Sequence, residues 1–243
     1  MPELTVASFN VHWGRGKGKD GFPEFDVPAA CASFDADVIV LQESWAPDQG
    51  IAQHDAVADA LGMRAVAVPM ARARLEPKPR LLARATDGET AGDGSWSLAV
   101  VTRKPIRASR VIPLPQLPLD SWRRVLLHVE LDVDGTNLAM IATHFAHLEF
   151  GAPFQACALR RGLPPADRPG VLVGDMNMWG WTIAAMTPRT WRRAVRGKTW
   201  SAPTAHHQID HLLVTPSVEV VRGEVLPHHG SDHLPIRARL RVK

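Results

Sequence analysis

In Gly170-Val171-Leu172-Val173-Gly174-Asp175-Met176-Asn177 an aliphatic run stops at a Gly-Asp step and is followed by an amide. A short run rich in Val and Leu and bounded by turn residues favours a buried strand over a helix. The same order recurs along the chain. Asn10 follows Val6-Ala7-Ser8-Phe9, Gln42-Glu43 follows Val38-Ile39-Val40-Leu41, and Thr143-His144 follows Met140-Ile141-Ala142. Asp210-His211 opens Leu212-Leu213-Val214, and Ser231-Asp232-His233 precedes the final strand pattern. Strand interiors are apolar and strand ends are polar. In a mixed sheet the end of one strand lies beside the start of its antiparallel neighbour. These spots can therefore converge on one rim, where open α/β sheets place ligands.

Outward from that stretch, apolar runs predict strands at 4–9, 37–41, 64–68, 97–102, 124–133, 136–143, 170–173, 209–214, 218–226 and 235–242. Asp134-Gly135 is the favoured type I′ turn, which makes 124–143 a hairpin. In the last strand Arg237, Arg239, Arg241 and Lys243 face one way and Ile236, Ala238, Leu240 and Val242 the other. That pattern is a half-buried strand with a solvated face, not a basic tail. Helical spacing falls at 25–34, 48–61, 154–163 and 182–195, with Gly62 capping the second. Segments 69–96 and 103–123, punctuated by Pro and Gly, read as long surface loops. So many strands exceed one flat sheet. Two packed mixed β-sheets flanked by helices are expected, an α/β (α+β) architecture.

Composition narrows the classes. Of 243 residues, 45% are hydrophobic and 22% charged, which is ordinary globular composition. A single domain over 1–243 is the expectation, burying about 70–75% of its unfolded surface without disulfide staples. Disorder, coiled coil, collagen and a disulfide-rich toxin are excluded, and no apolar run approaches the ~18 residues of a membrane span. Cys31 and Cys157 lie far apart in no metal or redox spacing and read as buried small hydrophobes. With no secretory leader read at the N-terminus, a cytoplasmic monomer is expected. The net charge of +3 does not by itself imply nucleic acid.

The polar rim has a definite chemical profile. Hard oxygen ligands suit Mg²⁺ or Mn²⁺, which use one or two carboxylates plus water and phosphate. Imidazoles supply proton transfer or positive charge beside a phosphate. No nucleophilic Cys and no Gly-x-Ser-x-Gly elbow is present, so an activated water is the expected nucleophile.

Taken in order, Ser8-Phe9-Asn10, Leu41-Gln42-Glu43, Ala99-Val100-Val101-Thr102-Arg103, Thr143-His144-Phe145, Gly174-Asp175-Met176-Asn177, Ile209-Asp210-His211 and Ser231-Asp232-His233-Leu234-Pro235-Ile236 resemble the endonuclease/exonuclease/phosphatase superfamily. That superfamily includes deoxyribonucleases, abasic-site endonucleases, sphingomyelinases and inositol polyphosphate 5-phosphatases. The resemblance implies a four-layer sandwich and metal-dependent phosphoester hydrolysis. By position, Glu43 resembles the main metal ligand, with Asn10 beside it and Asp232 as a further metal or water-network ligand. Asp175 resembles the residue that orients or deprotonates the attacking water, and Asn177 the one that holds phosphate and water in line. His233 resembles the phosphate-contacting imidazole with Asp210 as its carboxylate partner. His144 matches the second histidine of the deoxyribonuclease and sphingomyelinase branches. Where many nucleases carry a carboxylate or amide two residues after Asn10, this chain has His12, which is assigned to substrate. Tyrosine is absent, which argues against the abasic-site branch.

Arg124, at the start of a strand, reads as a further substrate contact at the rim or as an ordinary strand cap, and Trp179 and Trp181, beyond the Gly-Asp-Met-Asn turn, as substrate-stacking walls of the pocket or as core. His211 reads as a core histidine. His206, His207, His228 and His229 lack the spacing of a closed zinc site and are placed in loops near the rim. The basic stretch 189–198 reads either as a phosphate-backbone track or as the solvated face of a helix anchored by Trp191. A second, 72–84, would rim the site from a loop. The leading reading is a phosphodiesterase or nuclease. The alternatives are a phosphomonoesterase, a lipid-headgroup phosphodiesterase, or a non-catalytic polyanion-binding module.

Overall fold

The computed structural model describes residues 1–17, 21–76, 78–85, 92–116, 118, 120–147 and 151–243. Its strands are β1 (Glu3–Asn10), β2 (Val38–Pro47), β3 (Arg64–Arg74), β4 (Arg80–Arg84), β5 (Gly94–Thr102), β6 (Ile106–Pro113) and β7 (Val125–Val133). They continue with β8 (Thr136–His144), β9 (Gly170–Asp175), β10 (Arg192–Arg193), β11 (Asp210–Val214), β12 (Val218–Val225) and β13 (Ile236–Val242). The helices are α1 (Val27–Ala32), α2 (Gln53–Leu61), α3 (Ala152–Ala158) and α4 (Gly180–Met186).

The strands form two mixed sheets. One has the order β12-β13-β1-β2-β5-β3-β4 and the other β10-β11-β9-β8-β7-β6. In each sheet two central strands run parallel, β1 with β2 and β8 with β9. Alternation along the strands builds the layers. Val6, Val38, Val40, Leu98 and Val100 point inward to meet Leu127, Met140, Val171, Val173 and Leu212 of the facing sheet. Phe9, Ile39, Leu41 and Val101 point outward and are covered by Val27, Cys31 and Val57 of α1 and α2. Ile141, Leu172 and Leu213 point outward on the other side, under Ala152 and Ala156 of α3 and Ile183 of α4. The expected helix–sheet–sheet–helix arrangement is therefore present. Full burial of both sheet faces explains why the central strands read as continuous aliphatic runs.

Local expectations hold where the chemistry is simple. Asp134 and Gly135 both take positive φ, at 51° and 88°, and β7 pairs with β8 across them. Gly62 ends α2 in the left-handed conformation. The arginines of β13 lie on the open face and pair with acids: Arg237 with Glu224, Arg239 with Glu3, and Arg241 with Glu3 and Glu219.

Three expectations need correction. Segments 69–96 and 103–123 are not wholly loop: β3 runs on to Arg74, β4 returns antiparallel to it, and β6 forms a sheet edge. The edge position leaves β6 largely exposed, and Pro113 is tolerated there. The helix expected over 182–195 stops at Met186, because Thr187 precedes Pro188 and takes an extended ψ of 156°. Arg192 and Arg193 then pair as a short strand with Val214 and Leu213, and Trp191 is buried in the outer core. Cys31 is buried, but Cys157 is exposed on α3. Among the described residues, no helix is long and apolar enough to cross a membrane.

Candidate active site

The sheet register itself brings several of the polar strand-end residues together. His144 ends β8 directly beside Asp175, which ends β9, and Asp175 lies across from Asp210, which opens β11. Asn10 ends β1 in the facing sheet, and Asp232-His233 lead into β13 of that sheet. Gly174 lets β9 come close to β8. A Cβ at Gly174 would lie 1.9 Å from the Thr143 carbonyl oxygen, at a φ of +146° open to glycine.

Glu43 arrives by a different device. Leu41 pairs with Ala99 and Ser44 with Ser97, so β2 carries an extra residue at this point. Glu43 takes φ 55°, in the left-handed region that costs a non-glycine residue about 1–2 kcal/mol. Such a bulge re-aims a side chain out of the pleat. Here it turns the carboxylate toward Asn10.

Asn10 links the two sheets. Its Nδ2 donates to Glu43 Oε1 at 3.2 Å and to Asp175 Oδ2 at 3.1 Å. Its Oδ1 accepts the His12 N–H at 3.1 Å, and its carbonyl accepts the Ser231 hydroxyl at 2.6 Å. A second cross-sheet contact joins His233 Nδ1 to Asp210 Oδ2 at 3.0 Å. His233 Nε2 then faces Asp175 Oδ2 at 3.7 Å and Asp232 Oδ1 at 4.0 Å.

Burial and neighbouring charge set the protonation states. Burial pushes the Asp175 carboxyl up to about 7 and the facing Asp210 adds to it, while His233, the Asn177 N–H and Asn10 pull the other way. Burial disfavours a charge on His233, but Asp210, Asp175 and Asp232 outweigh it and raise the imidazole to about 10. His144 is held well below its ordinary value by burial, then by Arg124, His147 and His233. The site thus pairs an imidazolium at His233 with a neutral imidazole at His144.

The donor set fits a hard divalent cation. Asp232 Oδ1 is buried with no hydrogen-bond partner among the described residues, a costly state for a carboxylate oxygen without a cation. Asp232, Glu43 and the Asn10 amide supply oxygens of the type Mg²⁺ and Mn²⁺ prefer. Asp175, Asp210 and His233 also cluster tightly enough to hold an ion, yet the His233–Asp210 bond already occupies two of them.

The remaining expected residues are placed as follows. Asn177, at φ 48°, donates its N–H to Asp175 Oδ1 at 2.9 Å and its Nδ2 to the Phe145 carbonyl at 3.0 Å. Trp179 is 44% exposed at the cavity mouth. His12 lines the cavity, with Nδ1 2.8 Å from the Arg15 carbonyl oxygen and 3.9 Å from Asp232. Arg124 lies behind the site rather than in its lining. Its guanidinium is forked onto Asp120 and donates to the His144 and Phe145 carbonyls at 3.2 and 3.1 Å. It fixes the backbone beside His144. His211 is a core residue, with Nε2 2.8 Å from the Met178 carbonyl oxygen and burial lowering its pKa to about 4. His207 lines the cavity beside Trp179, while His228 lies 2.9 Å from the Ser231 carbonyl oxygen.

Sequence reasoning missed Trp13, Trp96 and Trp122, which line a cavity of about 570 Å³. They come from a turn, a strand interior and a loop far apart in the chain, and no periodicity connects them.

Comparisons with known proteins agree with this architecture. The sequence model described as the Endonuclease/Exonuclease/phosphatase family matches residues 7–233. No curated protein matches the chain. Among solved structures, an endonuclease/exonuclease/phosphatase from Beutenbergia cavernae is similar with a TM-score of 0.77 at 23% identity, covering 100% of this chain and 72% of that one. The human Nocturnin catalytic domain is similar with a TM-score of 0.71 at 17% identity, covering 100% and 94%. A mannosyl-6-phosphatase from Bacteroides thetaiotaomicron gives 0.69 at 18% identity, covering 98% and 99%. At these identities the likeness is one of fold.

Proposed function

The chain belongs to the endonuclease/exonuclease/phosphatase family, and from that premise we propose that it hydrolyses a phosphodiester with an activated water and a divalent cation, Mg²⁺ or Mn²⁺. The reading takes 1–243 as one catalytic unit, monomeric and cytoplasmic. The observation that carries it is the joining of Glu43, Asn10, Asp175, Asp210 and His233 by short contacts across two sheets.

Glu43, Asn10 and Asp232 would hold the cation. Bound there, it would polarise a phosphoryl oxygen and stabilise the leaving oxygen. Phosphoryl transfer otherwise needs positioning and charge neutralisation more than covalent chemistry. Asp175 orients the attacking water and takes its proton, a task matched to a carboxyl lifted toward neutrality. His233 presents Nε2–H to a non-bridging phosphate oxygen while Asp210 fixes its Nδ1 side. His144, neutral and 3.6 Å from Asp175, donates to the phosphate without adding charge. Asn177 and Arg124 hold the Phe145 carbonyl and so set the floor on which these groups stand.

The test is hydrolysis of bis-p-nitrophenyl phosphate, p-nitrophenyl phosphate, DNA and RNA with Mg²⁺, Mn²⁺ or EDTA, for wild type beside Asp175→Asn. Metal-dependent diester cleavage lost in the variant is expected. Turnover of the monoester alone would move the reading to a phosphatase. Polyanion binding with no turnover at all would leave a non-catalytic module.

A further inference from the structure

Building on the hydrolase reading, we propose that the substrate is a compact phosphoester carrying an aromatic ring, which enters a tryptophan-walled subsite beside the reacting phosphate, rather than a polynucleotide tracked along its backbone.

The cavity is bounded by a closed circuit with two unlike halves. On the polar half, His144 meets Asp175 at 3.6 Å, Asp175 meets His233 at 3.7 Å, His233 meets Asp232 at 4.0 Å, and Asp232 meets His12 at 3.9 Å. On the other half, the His12 ring lies 3.8 Å from Trp13, Trp13 stacks on Trp96 at 5.0 Å, and Trp96 stacks on Trp122 at 5.0 Å. Trp122 then meets His144 edge-on at 5.3 Å, closing the ring. The phosphate chemistry occupies one half. The aromatic half serves none of the steps above.

The column's geometry selects its guest. Trp96 is stacked on Trp13 and on Trp122, with interplanar angles of 15° and 27°, so its ring faces are engaged and a guest meets it at an indole edge. Indole edges are electropositive and favour the electron-rich face of another aromatic ring in a T-shaped contact. Trp179, also in the lining, is 44% exposed and lies beside His207, whose ring is tilted 26° from it at 6.2 Å. A saturated ring gains contact area here but not the edge-to-face match. The volume of about 570 Å³ suits a compact ligand, within the ~300–1,000 Å³ usual for such sites.

The charge argument points the same way. Among the described residues, Lys17 is the only lysine or arginine lining the cavity. A polynucleotide needs several such contacts to its phosphates. No arginine of the two basic stretches lines the cavity among the described residues, and several are engaged elsewhere. Arg72 is forked onto Asp48, Arg84 donates to the Asp120 carbonyl, and Arg193 lies against Gly180 at the start of α4.

The experiment is calorimetric binding of phenylphosphonate, cyclohexylphosphonate and methylphosphonate, whose C–P bonds resist hydrolysis, to wild type and Trp122→Leu with Mg²⁺ present. Phenylphosphonate is expected to bind wild type about tenfold more tightly than methylphosphonate, with the cyclohexyl compound between them. Trp122→Leu should bring the phenyl-to-methyl ratio below about threefold. If that variant does not fold, the three-ligand series on wild type decides alone. Phenyl and methyl affinities within about twofold of each other overturn the proposal. So does a cyclohexyl affinity equal to the phenyl one, or tighter binding of a short single-stranded oligonucleotide with steep salt dependence. Phenyl preference without metal-dependent turnover of bis-p-nitrophenyl phosphate would remove the hydrolase reading and leave the ring subsite standing.

Discussion

Asp210 stands directly across from Asp175 in the antiparallel pairing of β11 with β9, and the His233 imidazole reaches both carboxylates. The pairing places two acids at one rim, and the histidine from the facing sheet makes that tolerable. Removing either partner of the Asp210–His233 bond should disable the same function. Asp210→Asn and His233→Ala are each expected to lower kcat by about 10²–10⁴-fold, with the double variant little worse than either single. A kinetic double-mutant cycle measures this. Multiplicative losses would show that the two side chains act separately.

Asp175→Asn should separate stability from turnover. Burial, then Asp210, raises the Asp175 carboxyl to about 7, so the native state holds that proton more tightly than the unfolded chain does. Its contribution is fully present below the ordinary carboxylate pKa and is lost as pH rises through about 7. His233, raised to about 10 against the cost of burial, has the same sign at higher pH. In EDTA, Asp175→Asn is therefore expected to be more stable than wild type by about 1–2 kcal/mol at pH 8, with the gap narrowing toward pH 4. Urea titrations at several pH values check it. An advantage that does not vary with pH would contradict the assignment.

Glu43→Gln keeps the hydrogen bond from Asn10 but removes the charge. The Mg²⁺ or Mn²⁺ concentration for half-maximal activity should rise by about tenfold or more, with activity partly recovered at saturating metal. Metal titrations of initial rate read this directly. An unchanged midpoint would remove Glu43 from the ligand set.

Gly174→Ala tests the close approach of β9 to β8. The added methyl would overlap the Thr143 carbonyl, and the positive φ is unfavourable for alanine as well. A loss of about 3 kcal/mol or more is expected in chemical denaturation, or failure to express in soluble form. A variant with wild-type stability would mean that β8 and β9 can separate at that point without cost.

The rim was legible because strand ends break a strong aliphatic pattern. Asn10, Glu43, His144, Asp175, Asp210 and His233 each follow or precede such a run, and they do converge. Less visible were elements whose pattern is weak or masked by charge. In Met70-Ala71-Arg72-Ala73-Arg74 small residues alternate with arginine, a strand period that reads as loop composition until Ala71 and Ala73 are found buried. Pro188 was the available signal that the helix predicted over 182–195 had to stop. The bulge at Glu43 was hidden because an extra residue in β2 changes register, not composition. The tryptophan column depends on tertiary approach alone: its members lie in a turn near β1, in β5 and before β7.

Asn10 bonds to Asp175 and His233 to Asp210 across the gap between the sheets. The site is therefore a gauge of how the two halves of the sandwich are aligned. A slip of an ångström between the layers would barely disturb the aliphatic contacts, which have no preferred direction, but would break both bonds. Catalysis in such a molecule should fail early. As denaturant or heat loosens the central layer, turnover should vanish while the circular-dichroism signal of the strands is still intact.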